Sequence, residues 1–279
     1  MSLILGLLAA FSWGIHDVCV RYISQKSDIF TAFLTVLIVG TFFTAPIALT
    51  MGDWQAMTDL GYYFSIASGL FYAIGGISLY LAFSIGPVRI AAPIIGAYPI
   101  ISIGWASLTG ETVSFQEWGA VLVIVIGISM VTKLSDKTNK ESVQRQQIIW
   151  SILSCFSFAA TFAAGHTATR YGGEIPVILI ARFASIIGIL FLVFIMRKNL
   201  NFQFKQLPIL SSMGILDALA LGLVTAAGTL PNPEYAAVTS SLFGMLTVIL
   251  AWAFLKETMT LSQWSSVILV FVGVGILGY

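Results

Sequence analysis

The sequence predicts an all-α polytopic membrane protein with ten transmembrane helices arranged as two inverted five-helix repeats. Three observations predict it. Of 279 residues, 58% are apolar and 9% charged, with mean hydropathy +0.96, where a soluble domain carries about 25% charged residues. Ten apolar runs are long enough to cross a hydrocarbon core about 30 Å thick. Residues of distinctive chemistry recur between the two halves of the chain at a nearly constant offset.

The same numbers exclude other classes. So little polar surface cannot cover a water-soluble fold of this size, and a disordered chain or a disulfide scaffold is excluded with it. Thirteen Lys and Arg against twelve Asp and Glu leave a net charge of +1, so no basic excess exists to meet nucleic acid. Cys19 and Cys155 both lie in apolar runs and form no disulfide framework.

The expected spans are 2–22, 29–50, 60–84, 88–109, 115–133, 147–170, 175–196, 208–229, 234–255 and 261–278. Gly52-Asp53, Gly86-Pro87, Gly172-Gly173 and Pro231-Asn232-Pro233 punctuate them. The runs are continuous rather than alternating, which favours helices over a lipid-facing barrel. The first run has no positive segment before it and no small-residue cleavage site after it, so it reads as a span rather than a leader. Pro93 and Pro99 free backbone carbonyls in the fourth span, as in a kinked or broken helix. Ser114 with Glu117 and Thr260 with Gln263 are capping boxes that open the fifth and tenth spans. Small residues at four-residue spacing, Gly6, Ala10 and Gly14 in the first span and Ala160, Ala164 and Ala168 in the sixth, suggest that these two helices cross.

Orientation follows from the cations. The odd-numbered loops hold 11 of the 13 Lys and Arg, so the positive-inside rule puts those loops in the cytoplasm and both termini outside.

The chain divides at residues 134–146, its longest polar stretch, into repeats 1–133 and 147–279. Glu111-Thr112, Trp118 and Gly127 match Glu257-Thr258, Trp264 and Gly273. Phe11-Ser12 matches Phe156-Ser157, and both helices end in Arg-Tyr, at Arg21-Tyr22 and Arg170-Tyr171. An odd number of spans per half inverts the second half in the membrane. That is a transporter arrangement with a site expected near the midplane.

Gly110-Glu111-Thr112 and Lys256-Glu257-Thr258 after the fourth and ninth spans, with Ala91-Ala92-Pro93 and Ala236-Ala237-Val238, resemble the EamA-like branch of the drug/metabolite transporter superfamily. The resemblance covers the whole chain. It implies a central cavity lined by helices 1–4 and 6–9, peripheral helices 5 and 10, and the transport of amino acids, other metabolites or drugs, with a lean toward export. It also implies a bacterial inner (plasma) membrane location. Many relatives carry a basic loop between helices 2 and 3; this chain has Asp53 and Asp59 there.

Charges deep in a span are costly and face a partner or a wet cavity. Three qualify: Asp17, Arg182 and Asp217. At 1.5 Å per residue, Arg182 lies about 10 Å in from the outer end of its span and Asp217 about 13 Å in from the inner end of its own. They read either as a site of both signs, suited to an amino acid, or as a structural pair. His16, Asp17 and His166 are candidates for coupling or gating, with Asp17 and His166 toward opposite faces. Trp13, Tyr80, Tyr98, Phe158 and Phe243 are expected to line the cavity, and Tyr72, Trp105, Phe162 and Trp252 lie on the same helices. Glu111 and Glu257 read as interfacial structural residues, with Lys256 beside Glu257 as a solvated pair.

The function that follows is a secondary transporter of a small organic metabolite, an amino acid or a related amphipathic compound, exported by alternating access. The alternative is efflux of drug-like or cationic compounds coupled to protons. No Walker A, G-x-S-x-G or H-E-x-x-H motif occurs, and the Gly273–Gly278 glycines follow no strand, which speaks against an ATP-driven pump or an intramembrane enzyme. A channel lacks polar pore rings. Two His cannot build a His-rich metal site, so no cofactor or metal is expected. The partners are substrate, lipid and coupled protons or ions, in a monomer or weak homodimer. A cysteine placed at Lys137 is predicted to react with an impermeant thiol reagent in inverted vesicles and not in intact cells; labelling of intact cells reverses the orientation.

Overall fold

The computed structural model describes residues 1–108, 114–133, 141–227, 230 and 234–276. Among these, all regular structure is helical: α1 (Ser2–Ile23), α2 (Ile29–Met51), α3 (Asp59–Ile85), α4 (Val88–Ile95), α5 (Pro99–Leu108), α6 (Phe115–Lys133), α7 (Glu141–Arg170), α8 (Glu174–Ile195), α9 (Leu207–Ala226), α10 (Glu234–Ser241), α11 (Phe243–Leu255) and α12 (Leu261–Ile276). Seven stretches are long and apolar enough to cross a membrane. Three shorter apolar stretches, Val88–Ile101, Phe115–Met130 and Leu261–Ile276, fall where the fourth, fifth and tenth spans are expected.

Local chemistry sets the helix starts. The Asp28 carboxylate accepts from the Thr31 backbone N–H at 2.7 Å to cap α2, and the Thr58 hydroxyl accepts from Gly61 N–H at 3.2 Å to cap α3. Both capping boxes form. Ser114 N–H donates to Glu117 Oε2 at 2.6 Å while Glu117 N–H donates to Ser114 Oγ at 3.2 Å. Thr260 N–H donates to Gln263 Oε1 at 2.9 Å and Gln263 N–H to Thr260 Oγ1 at 3.3 Å. Inside the spans, Ser and Thr hydroxyls return their protons to carbonyls one turn back, as Thr35 does to Thr31 and Thr41 to Leu37. Such a bond satisfies a hydroxyl that has no water to turn to.

Two spans are interrupted, the fourth as its prolines allow and the ninth without such a signal. The fourth is broken at Gly96–Tyr98, between α4 and α5. Pro99 has no N–H to donate to Ile95 and its ring crowds that carbonyl, so the ladder cannot continue. The ninth is interrupted at Leu242, whose N–H bonds to Thr239 O at 3.3 Å in a tighter turn before α11 resumes. The two interruptions meet. A Cβ on Gly96 would lie 3.0 Å from Ser241 O, and one on Gly244 would lie 2.7 Å from Ala92 O. The Tyr98 hydroxyl is 3.0 Å from Ser240 Oγ across the same crossing. A departure from expectation concerns the polar segment: residues 141–146 are already the first turns of α7. Glu111, Thr112, residues 134–140 and 231–233 lie outside the described residues.

The bundle is knitted across the middle of the chain. α3 packs on α7 and α8, α9 on α1 and α2, α2 on α8, and α4 on α7 and α11, while α6 and α12 pair with each other. The small-residue stripe of α1 does not seek α7. Gly6 abuts Ala236 and Thr239 of α10, and Gly14 abuts Leu246 of α11. Trp252, on one of the helices expected to line the cavity, is 52% exposed and packs edge-on against Trp264 at 5.9 Å, on the outside of the bundle.

A helical Gly→Ala change ordinarily stabilises by about 0.5–1 kcal/mol. At Gly222, where a Cβ meets nothing within 4 Å, Gly222→Ala is predicted to raise the unfolding temperature in detergent. Gly244→Ala is predicted to lower it, with an overpacking cost of about 1–3 kcal/mol. Equal shifts would show that the crossing of the two broken helices is not close-packed.

Candidate functional site

Three donors from three helices converge on one carboxylate. Asp217, in α9, is buried. Arg182 Nη2 of α8 donates to its Oδ2 at 3.0 Å. Its Oδ1 accepts from the Trp13 indole of α1 at 3.3 Å and from the Tyr72 hydroxyl of α3. The guanidinium is fully buried too, and among the described residues its Nε and Nη1 have no hydrogen-bond partner. Gly40 of α2 makes the arginine fit: a Cβ there would lie 2.5 Å from Arg182 Nη1. Nothing in the sequence singles out Gly40, because its use depends on a side chain from another helix.

A second polar group stands nearby. His16 Nδ1 and Asp17 Oδ1 are 2.9 Å apart, and the Tyr80 hydroxyl is 3.4 Å from His16 Nε2. All three side chains are buried. Asp17 Oδ2 has no partner among the described residues.

Between these two groups lies a central cavity of about 30 Å³. A water needs about 10–15 Å³ on this scale, so the cavity is contracted far below the size of an organic solute. Its polar edge is His16, Asp17 and Asp217. Its walls are aromatic: Trp13 from α1, Phe33 from α2, Tyr72 and Tyr80 from α3, Tyr98 beside the break, Phe158 and Phe162 from α7, and Phe243 from α11. The rings brace one another. Trp13 meets Phe162 and Phe243 edge-on, each at 6.0 Å, and Tyr98 lies 5.0 Å from Phe162.

Of the residues singled out in the sequence, Trp13, His16, Asp17, Tyr80, Tyr98, Phe158, Asp217 and Phe243 all border this one cavity. Arg182 does not. It borders a second cavity of about 20 Å³ with Ser68, Thr161, Ser185 and Thr225. Tyr72 borders both. His166 borders neither and sits one turn from the end of α7. Among the described residues the cavity therefore carries two carboxylates and an imidazole but no Lys or Arg, while Arg182 and Asp217 form the buried pair that is the other reading of these two charges. Phe33 and Gly76 also border it, although their apolar helices offer no signal for a cavity-facing side.

Polar contacts tie helices together near each end of the bundle. At one end Glu257 accepts from Arg21 Nε at 3.2 Å and from the Val88 backbone N–H at 3.0 Å, and Arg21 Nη1 donates to Phe83 O at 2.6 Å. One carboxylate thereby caps α4 and ties α1 to the turn after α11. Lys256, in the left-handed region at φ 56°, turns the chain so that Glu257 points inward. The ion pair is thus Arg21–Glu257, and Lys256 is exposed. At the other end the tie is neutral: Thr58 N–H and Oγ1 both donate to Tyr171 O, at 3.0 and 2.8 Å.

Comparison with known proteins points one way. The model of the EamA-like transporter family matches residues 1–133 and again 145–279. An uncharacterized transporter of Archaeoglobus fulgidus is 21% identical over 263 residues, covering 92% of this chain and 90% of that protein. An uncharacterized protein of Methanocaldococcus jannaschii is 26% identical over 132 residues, 47% of this chain and 96% of its own length. A solved crystal structure shares the fold, with a TM-score of 0.71 at 12% identity, over 99% of this chain and 95% of that one.

Removing one member of a buried ion pair strands the other, at a cost of about 3–5 kcal/mol. Arg182→Met is predicted to destabilise by that order. The double change Arg182→Met with Asp217→Leu is predicted to recover most of the loss in thermal unfolding. Equal loss in the single and double variants would show that the two charges do not compensate each other.

Proposed function

Because this chain belongs to the EamA-like transporter family and is a multi-pass integral membrane protein, we propose that it is a secondary transporter that moves a small organic cation by alternating access. The observation that carries the substrate class is the central cavity: aromatic faces on all sides, Asp17 and Asp217 at the polar edge, and among the described residues no Lys or Arg. Aromatic faces attract a desolvated cation by about 2 kcal/mol or more each, and a buried carboxylate neutralises it. An amino acid would also need a cation for its own carboxylate, and Arg182 is held behind Asp217.

The proposed architecture is ten spans in two inverted halves, with repeats at 1–133 and 147–279. It is supported by the two family matches, by a relative only as long as one half, and by the packing. Exchanging each element for its counterpart turns α3 on α7 into α9 on α1, and α3 on α8 into α9 on α2. α2 on α8 and α6 on α12 map onto themselves, and the two broken spans are counterparts. In the proposed orientation the Arg21–Glu257 closure is cytoplasmic and the Thr58–Tyr171 closure faces outward. The conformation described is then the occluded one.

Transport in the export direction would exchange the cation for a proton at Asp17. One monovalent cation out for one proton in moves no net charge. His16 and Tyr80 supply a hydrogen-bonded neighbour chain for that proton.

The test uses proteoliposomes, with benzyltrimethylammonium as a permanent cation and phenylalanine as a zwitterion of similar ring size. Uptake of the cation driven by an opposing proton gradient, abolished by Asp17→Asn, is the expected result. Uptake of phenylalanine but not of the cation would return the reading to amino acids, and uptake of neither would remove both.

A further inference from the structure

The cavity behind Arg182, about 20 Å³ in this conformation, presents hydrogen-bond acceptors to the guanidinium and has to widen to receive it. Each of its four Ser and Thr hydroxyl groups has already committed its proton to a backbone carbonyl: Ser68 to Thr161 at 2.9 Å, Thr161 to Ser157 at 2.8 Å, Ser185 to Gly69 at 2.7 Å and Thr225 to Leu221 at 2.8 Å. What each hydroxyl oxygen has left is lone-pair capacity, so the cavity offers acceptors and needs donors. Arg182 borders it, side chain fully buried, with Nε and Nη1 unpartnered among the described residues. Guanidinium is a donor-only group with five N–H bonds. Its hold on Asp217 is single-pronged, through Nη2 alone, and not the two-pronged fork that fixes an arginine firmly.

We propose that Arg182 is a resident counter-cation of Asp217 that the transported cation displaces, and that the hydroxyl-lined cavity receives the displaced guanidinium. This rests on the cationic-substrate reading above. Asp217 borders the central cavity and Arg182 the second one, and Tyr72 spans both. The ion pair is therefore the partition between two compartments. A positive solute arriving in the central cavity meets Asp217 from the opposite side to Arg182 and competes for the same charge. When it wins, the arginine moves into the acceptors behind it and the partition opens. No carboxylate is left unpaired at any stage, and the empty protein keeps the partition closed with its own cation.

The test uses the purified full-length protein and benzyltrimethylammonium. Thr161→Val with Thr225→Val preserves shape and removes two acceptors whose hydrogen bonds lie within their own helices. If the displaced arginine is less well received, the solute competes less well, and binding is expected to weaken by about tenfold with the unfolding temperature unchanged. Arg182→Gln removes the competitor. It is expected to bind the cation about tenfold more tightly and to gain more thermal stability from it than wild type does. If Arg182→Gln does not fold, the valine pair decides. Wild-type affinity in the valine pair, or weaker binding in Arg182→Gln, overturns the displacement and leaves the cationic reading standing. No binding of the cation to wild type removes the reading and the displacement together.

Discussion

A carboxylate in the middle of a bilayer sets the terms for what surrounds it. Alone, Asp217 would be too costly to bury, and the fold answers with an indole, a phenol and a guanidinium from α1, α3 and α8. Each donor needs a place to stand. The guanidinium needs Gly40 on α2, and the indole is held by Phe162 and Phe243 on α7 and α11. Meeting the needs of one side chain thus fixes six other helices around α9. The cavity is what remains between these aromatic supports, and its walls come from the same residues that hold the charge.

The two ends of the bundle are tied by different chemistry around this shared centre. One end uses a carboxylate, a guanidinium and a helix N-terminus; the other uses a carbonyl that accepts twice. The crossing of α4–α5 with α10–α11 lies between them, with Gly96 and Gly244 bringing backbone against backbone. Interrupted helices can change direction at one or two residues without unravelling, which suits them to the proposed alternating access.

Much of this was legible in the chain, for reasons that differ by residue. Asp17, Arg182 and Asp217 announce themselves because charge is rare in apolar spans. Pro99 announces the break between α4 and α5 because it lacks an N–H. The capping boxes at Ser114 and Thr260 are local and need nothing from the rest of the fold. The interruption at Leu242 carries no proline or glycine at the break itself. Arg21 and Glu257 are 236 residues apart, and their pairing depends on a left-handed turn at a lysine. Which way a side chain faces was the hardest thing to read. A helix that is apolar all round has no polar stripe to mark its inner side, so Trp13 and Trp252 look alike in the sequence although one borders the cavity and the other lies outside. The same ambiguity hid the fact that Arg182 approaches Asp217 from behind.

The packing of α1 bears on how such a chain is made. Its buried face lies against α9, α10 and α11, none of which exists when α1 leaves the ribosome. Trp13 and the carboxylate it serves are 204 residues apart, and at about 5–20 residues per second the wait is about 10–40 s. Throughout that interval His16 and Asp17 must be tolerated in lipid or sheltered by insertion machinery. α7, the counterpart of α1 in the proposed repeat, finds α3 and α4 already in the membrane. Biogenesis is therefore lopsided even though the finished packing is balanced. A polypeptide of only one half would never meet the helices that α1 requires, except on another copy of itself.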